Sequence, residues 1–471
     1  MRHSFAIVCL LSVITTFVAG QAAPMKVVPI PAVLGAPRPF PYPWTFPTAS
    51  ADELVSRRVA LAKAMVNGVA ITISGPTPEL ASGSRYKPEH DTWYFTGVDT
   101  DPCVWVLVAK DGKIESQRLF LPVFNKSYEL WNGRRWCAGP ESAAAVGLGP
   151  DDVVPMSGGN FGGSNSMKSV EDYLRTLAAT TPPTWFIDGN IGNEDTARLD
   201  ISTPDRGGMI KRFLKSVVAK PKFRGLGSVS GTLRSIKSPH EIDLIRRAAW
   251  ITGEGFHDAM REARPGMWEF EFQSLMERAF ISHGCTGVPY YPIAASGPNA
   301  CILHYTDSRR QMVDGDLVLC DIAAEYGYYA ADITRTFPIN GKFSDRQRQV
   351  YEAVLAGQTA AAEALKPGAT LNELDAACRE AMIKGGLKPG ELHPHGLGHH
   401  VGLDVHDPGA MVFKPGMIIT IEPGSYLRKE SLGARIEDLY LVTETGNECL
   451  SKMIPKTVAE IEALVGAAHR R

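Results

Sequence analysis

Gly315-Asp316-Leu317-Val318-Leu319-Cys320-Asp321 and Gly416-Met417-Ile418-Ile419-Thr420-Ile421-Glu422 are two versions of one phrase: a glycine, an apolar strand, and an acid six residues after the glycine. The likeness extends upstream. Ser238-Pro239-His240-Glu241 is a helix start, with a capping serine, proline at the first position and an acid in the first turn. That helix runs to about Arg264 and stops at Pro265-Gly266; a second starts near Ser344-Asp345, runs to Lys366 and stops at Pro367-Gly368. Sliding the chain by 102 positions lays Pro265 on Pro367, Glu271 on Glu373, Ala279 on Ala381 and Gly284 on Gly386. Two helix–helix–strand halves, each ending in a carboxylate, predict a domain with an internal pseudo-two-fold and a site where the halves meet.

Acids among apolar strand residues need a partner. Downstream of Asp321, the segment Glu325-Tyr326-Gly327-Tyr328 reads as a hairpin turn. With Tyr326 and Gly327 at its centre, Asp321 and Asp332 lie opposite each other, their side chains about 5 Å apart. Two carboxylates so placed repel, and hold a pKa up, unless a cation lies between them. Glu422 and Glu437 form the next strand pair, again among apolar residues. A surface position accounts for Asp438 or Glu444, but not for four acids on strands. Between these hairpins, the stretch from His393 to His406 packs five of the chain's 12 histidines into 14 positions. His399 and His400 are adjacent, so only one of them readily faces a shared site. Four carboxylates and one imidazole make a hard, oxygen-rich donor set that favours Mn²⁺ or Co²⁺ over a thiolate-type zinc centre. Two cations about 3.5–4 Å apart would form a hydrolytic centre with a bridging hydroxide as nucleophile.

Asp321, Asp332, His399, Ile421-Glu422-Pro423-Gly424 and Arg435-Ile436-Glu437 resemble the five-ligand signature of the pita-bread (M24) metallopeptidases, the family of methionine aminopeptidase, prolidase and aminopeptidase P. Gly297-Pro298-Asn299-Ala300-Cys301-Ile302-Leu303-His304-Tyr305-Thr306, Asp332-Ile333-Thr334-Arg335-Thr336-Phe337-Pro338 and His395-Gly396-Leu397-Gly398-His399 resemble its proline-specific branch. Trp93-Tyr94-Phe95-Thr96-Gly97 and Trp131-Asn132-Gly133-Arg134-Arg135 are similar to aminopeptidase P. The resemblance runs from about residue 52 onward. It implies an α/β chain: a creatinase-like α/β domain over 51–228, then a pita-bread catalytic domain over 229–471. It implies two divalent metal ions, manganese ahead of cobalt or zinc. Asp321 would hold one, His399 and Glu422 the other, and Asp332 and Glu437 would bridge both, with Glu422 also moving protons. His304 and His406 would line the proline pocket and bond the scissile carbonyl or the tetrahedral intermediate. His395 and Arg435 would touch substrate or steady the ligands, with Arg435 holding a carboxylate. Tyr426 and Tyr291 are substrate-contact candidates, whereas His393 and His400 have no ligand role.

The implied activity is a metalloaminopeptidase that cuts between an N-terminal residue and a following proline. The imide bond before proline has no N–H and restricts the residue before it, so a ring-shaped pocket suits it better than a general peptidase cleft. A prolidase acting on Xaa-Pro dipeptides is the alternative; the segments Gly386–His393 and Glu422–Glu437 are shorter than expected for a bacterial aminopeptidase P, which leaves peptide length open. Metal-free pita-bread relatives with a binding role lose ligands, and here all five are present. Members of the family commonly form dimers or tetramers.

The rest of the chain is consistent with this. The 471 residues are 44% hydrophobic, enough for two or three cores, and a net charge of −2 argues against a large nucleic-acid surface. Arg2 and His3 precede an apolar run from Phe5 to Val18, with Val18-Ala19-Gly20 for cleavage. This run is short for a membrane span, so residues 1–20 read as a secretory signal and the protein as secreted or periplasmic. Residues 21–50 are a Pro-rich lead-in. A helix over Ala51–Val66, a strand over Val69–Ser74 and a strand over Val104–Ala109 closed by Lys110-Asp111-Gly112 open the α/β pattern. The Gly-rich stretch 157–163 lacks a phosphate-loop lysine and reads as a loop. Removing Cys9 with the signal leaves seven of eight cysteines, without a Cys-x-x-Cys pair, so at least one thiol is free.

Overall fold

The computed structural model describes residues 48–74, 86–156, 167–180, 184–188, 205–285 and 287–470. The expected signal, nearly all of the lead-in and the Gly-rich stretch lie outside the described residues. The described residues all fall within one compact unit, and no helix among them is long and apolar enough to cross a membrane.

A helix over Ala51–Met65 starts at Ser50, whose hydroxyl accepts from the Glu53 N–H. It leads into a six-stranded mixed sheet: β1 (Gly68–Ser74), β2 (Cys103–Lys110), β3 (Lys113–Pro122), β4 (Val153–Met156), β5 (Thr184–Phe186) and β6 (Lys222–Arg224), in the order β4-β3-β2-β1-β5-β6. The expected turn between β2 and β3 is a two-residue one, with Asp111 and Gly112 both at positive φ. Side chains alternate across the sheet. Val69, Ile71 and Ile73 pack with Leu174 and Phe213 from the helices over Lys168–Thr180 and Arg206–Val217. Ala70, Trp105 and Leu107 face the other way, into a core shared with the C-terminal half.

That half shows the expected repeat. Helices α1 (Pro239–Glu262) and α2 (Glu269–Ser282) are matched by α3 (Asp345–Ala364) and α4 (Leu371–Lys384). The starts of α2 and α4, Glu269 and Leu371, stand 102 positions apart. Capping boxes at Ser238/Glu241, Ser344/Gln347 and Thr370/Glu373 satisfy the first N–H groups of α1, α3 and α4. The strands follow as β7 (Ile293–Ser296), β8 (Leu317–Asp321), β9 (Glu325–Tyr326), β10 (Tyr329–Ala330) and β11 (Thr334–Pro338), then β12 (Ile418–Ile421), β13 (Gly424–Leu427), β14 (Leu432–Arg435), β15 (Asp438–Val442) and β16 (Asn447–Cys449). They make two three-stranded sheets, β11-β8-β7 and β12-β15-β16, plus the short ribbons β9-β10 and β13-β14.

Two hairpins carry the acids, and the first corrects the expected register. Its turn is centred on Gly327 and Tyr328, both at positive φ, with Tyr326 paired to Tyr329. Asp321 therefore pairs with Thr334, not with Asp332. A two-residue turn that matches strand twist needs positive φ at both central positions. Moving the centre by one residue moves each partner by two, and an even slip keeps the face. The ladder is interrupted between β8 and β9 and between β10 and β11, and Asp332 sits in that gap. In the second hairpin Ile421 pairs with Asp438 and Gly424 with Arg435, so Glu422 and Glu437 face each other across a matching gap.

Candidate active site

The gaps in the two hairpins meet. Carboxylate oxygens of Asp321, Asp332 and Glu437 lie within 4.8 Å of one another, as do the donor atoms of His399, Glu422 and Glu437. Asp332 and Glu437 are buried, and Asp321 and Glu422 nearly so. Burial pushes the Asp321 carboxyl up to about 6 and the Glu422 carboxyl up to about 7. Burial, with the neighbouring acids, holds Glu437 well above the carboxylate range. Arg435 is the guanidinium among them: it donates to Asp321 Oδ2 at 2.7 Å, to Thr334 Oγ1 at 3.1 Å and to the Tyr426 hydroxyl at 3.1 Å. Thr334 in turn donates to Glu437 Oε2 at 2.7 Å.

His399 is aimed into this cluster. Its Nδ1 lies 3.1 Å from the carbonyl of His400, which makes Nδ1 the N–H and leaves Nε2 facing Asp332 at 3.3 Å and Glu422 at 3.5 Å. Burial alone would lower its pKa; the hydrogen bond and charge of Asp332, with Glu422, raise it to about 9. Gly398 permits the approach, since a Cβ there would stand 2.1 Å from the Thr420 carbonyl. Without cations, Arg435 and a protonated His399 together balance at most two of the four acids. The surplus carboxylates, together with an imidazole lone pair, are a donor set that fits divalent cations.

A cavity of about 310 Å³ opens over the cluster, lined by all five predicted ligands and by His304, His395, His406 and Arg435. His304 and His406 are one repeat apart, 102 positions, and so approach from the two halves. The His406 ring lies 4.0 Å from that of His399, and donor atoms of His406, His399 and Asp332 lie within 4.8 Å of one another. His395 Nδ1 lies 2.8 Å from the Gly396 carbonyl and Nε2 3.0 Å from the Tyr426 hydroxyl, and burial lowers its pKa to about 4. Tyr426 thus sits behind the cavity, joining His395 to Arg435, and does not line it. His393 is buried against Asp375 at 2.7 Å, and His400 Nε2 meets the Ala410 carbonyl at 3.0 Å.

Tyr291 needs correcting. It is 83% exposed and does not line the cavity. Its neighbour Tyr290 donates to Asp321 Oδ1 at 2.7 Å. Pro292 separates both tyrosines from β7, so strand alternation does not choose between them. Sequence reasoning also missed Thr334, although its spacing of two from Asp332 is a same-face signal. The seven cysteines of the described residues are free thiols, Cys320 and Cys301 among the buried ones.

Residues 243–444 match Metallopeptidase family M24, and residues 54–159 match Aminopeptidase P, N-terminal domain. The Xaa-Pro aminopeptidase of Escherichia coli K12 is 33% identical over 455 residues, covering 90% of this chain and 99% of that protein. The Xaa-Pro dipeptidase of Pyrococcus furiosus is 37% identical over 250 residues, covering 52% of this chain and 70% of that protein. Among solved structures, zinc-substituted E. coli aminopeptidase P in complex with product superposes with a TM-score of 0.77 at 31% identity, covering 90% of this chain and all of that one. With both domains matched in order and the relative spanned almost end to end, this chain belongs to metallopeptidase family M24, in its aminopeptidase P branch.

Proposed function

We propose that this protein is a metal-dependent Xaa-Pro aminopeptidase that releases the N-terminal residue from peptides with proline second. The observation that carries the reading is the convergence of four carboxylates and His399 Nε2 at the floor of a cavity walled by His304 and His406. The match of residues 54–159 to the aminopeptidase P N-terminal domain favours this over a prolidase, whose Pyrococcus example is matched over only half of the chain.

Divalent cations bound there would polarise the scissile carbonyl and lower the pKa of a water. We assign two, Asp332 and Glu437 being shared, and manganese ahead of cobalt or zinc because four of the five donors are carboxylates. The chain's own groups do the rest. Arg435 and Tyr290 hold the two oxygens of Asp321 in place. Glu422 takes the proton of the attacking water and passes it to the departing proline nitrogen. His304 and His406 donate hydrogen bonds to the carbonyl oxygen as charge gathers on it. His395, neutral and held at both ring nitrogens, keeps Tyr426 and Arg435 in register. On the strength of residues 1–20 we place the enzyme outside the cytoplasm.

Comparing cleavage of an Xaa-Pro dipeptide with that of Xaa-Pro-Xaa-Xaa peptides tests the reading. Release of Xaa from the longer peptides is expected, and activity on the dipeptide alone would reject it. Full activity of an intact, metal-free protein would reject metal dependence.

A further inference from the structure

His304 reaches the cavity from a loop, residues 297–310, between β7 and β8, and a single carboxylate closes the two ends of that loop. Glu269, the first residue of α2, is fully buried. Its Oε1 accepts from the Ser296 N–H at 2.8 Å, the Ser296 hydroxyl at 2.7 Å and Asn299 Nδ2 at 3.1 Å, at the front of the loop. Its Oε2 accepts from the Tyr305 hydroxyl at 2.8 Å and the Arg310 N–H at 2.9 Å, at the far end. Arg310 closes the ring by donating to the Ser296 hydroxyl at 2.7 Å and pairing with Asp316. Tyr305, the neighbour of His304, packs on a small separate core of Ile293, Ala295, Ala300 and Leu319.

The arrangement belongs to one half only. The repeat position of Glu269 at the start of α4 is Leu371, an apolar residue, so the cap is not a general requirement of this helix start. The opposite side of the loop is held by contact: a Cβ on Gly433 would stand 2.0 Å from the Ala300 carbonyl. Five donors converging on one carboxylate are specific to an acceptor-only group; a glutamine amide would turn N–H groups toward N–H and O–H donors.

We propose that Glu269 is the positioning residue for His304: it touches no substrate and acts on the reaction by fixing the loop that aims the imidazole. The inference rests on the role given to His304 above. A double-mutant cycle separates it from a general structural role. The Glu269→Gln, His304→Ala and double variants are compared, as metal-loaded full-length enzyme, for kcat/KM on an Xaa-Pro-Xaa-Xaa peptide, metal content and Tm.

Glu269→Gln is expected to retain metal and to lose about 10- to 100-fold in kcat/KM, the coupling expected of groups in one network. In the His304→Ala background the same change should cost little. A loss undiminished in that background, or no loss, would overturn the proposal. If Glu269→Gln does not fold, Tyr305→Phe removes one donor to Oε2, along with a 3.4 Å acceptor for the Arg309 N–H; a smaller loss that again vanishes without His304 is expected, and a loss that persists overturns it. Should His304→Ala itself keep full kcat/KM, the role assigned to His304 fails and the inference with it. An impaired His304→Ala beside unimpaired Glu269→Gln and Tyr305→Phe refutes the inference alone.

Discussion

Stripping the cations should leave a protein whose stability falls as pH rises through neutrality, contrary to the usual behaviour of a chain with paired carboxylates. The folded protein without cations raises His399 from 6.5 to about 9, because Asp332 and Glu422 favour its charged form over the cost of burial. A group with a raised folded pKa contributes stability that is complete below its unfolded value and is lost as pH climbs toward the folded one. Glu422, raised by burial to about 7, and Glu437, held higher, act in the same sense, because the unfolded chain ionises them first.

The pH window in which they dominate is about 7 to 8. Above it, buried thiols such as Cys285 begin to ionise in the unfolded state only. Below it, His393, His395, His400 and His406, all lowered by burial, change in the opposite sense. Over that single unit His399 alone accounts for about 1 kcal/mol, at about 1.4 kcal/mol for each pH step over which the two states differ by a full bound proton. Denaturant titration of the chelated protein at pH 7 and 8 should show that loss, and adding Mn²⁺ should abolish it, since cations bind the ionised acids and neutral imidazole. A chelated protein whose stability is flat or rises across the window, or a loss unchanged by metal, would refute the account of the site as an acid cluster completed by cations.

Two further outcomes follow from the same geometry. Asp332→Asn or Glu437→Gln should abolish turnover and weaken metal retention, checked by peptide cleavage with elemental analysis; near-normal turnover with bound metal would show the shared ligands to be misassigned. Asp438, expected at the surface, is instead fully buried behind Glu437 and pairs with the equally buried Arg335 at 2.6 Å, so Asp438→Asn should destabilise by about 3–5 kcal/mol in denaturant titration. Arg335 and Lys456 outweigh burial and hold the Asp438 carboxyl below its ordinary range, so its contribution should fade only in acid, as pH falls through that low value.

The hairpin turns show where local information runs out. Tyr326-Gly327-Tyr328 admits a turn centred on either side of Gly327, and only the packed strands choose the later one. Asp321 and Asp332 survive that ambiguity because the error is two residues and side chains alternate with a period of two. Tyr290 and Tyr291 do not survive it: they differ by one residue, and a proline cuts them off from the strand that would set their phase.

The repeat, the helix ends, the five candidate ligands and the family resemblance were legible in the chain because each depends on spacing, capping chemistry or residue type, which neighbours along the sequence determine. Which hydroxyl steadies Asp321, how Arg435, Thr334 and Tyr426 link the two hairpins, and that Glu269 closes the loop of His304 from the start of α2 were decided only by the tertiary structure. Those contacts join residues far apart in the chain. No local propensity encodes them; they appear once the two halves bury their acids against each other, and every donor at the junction must then find an acceptor.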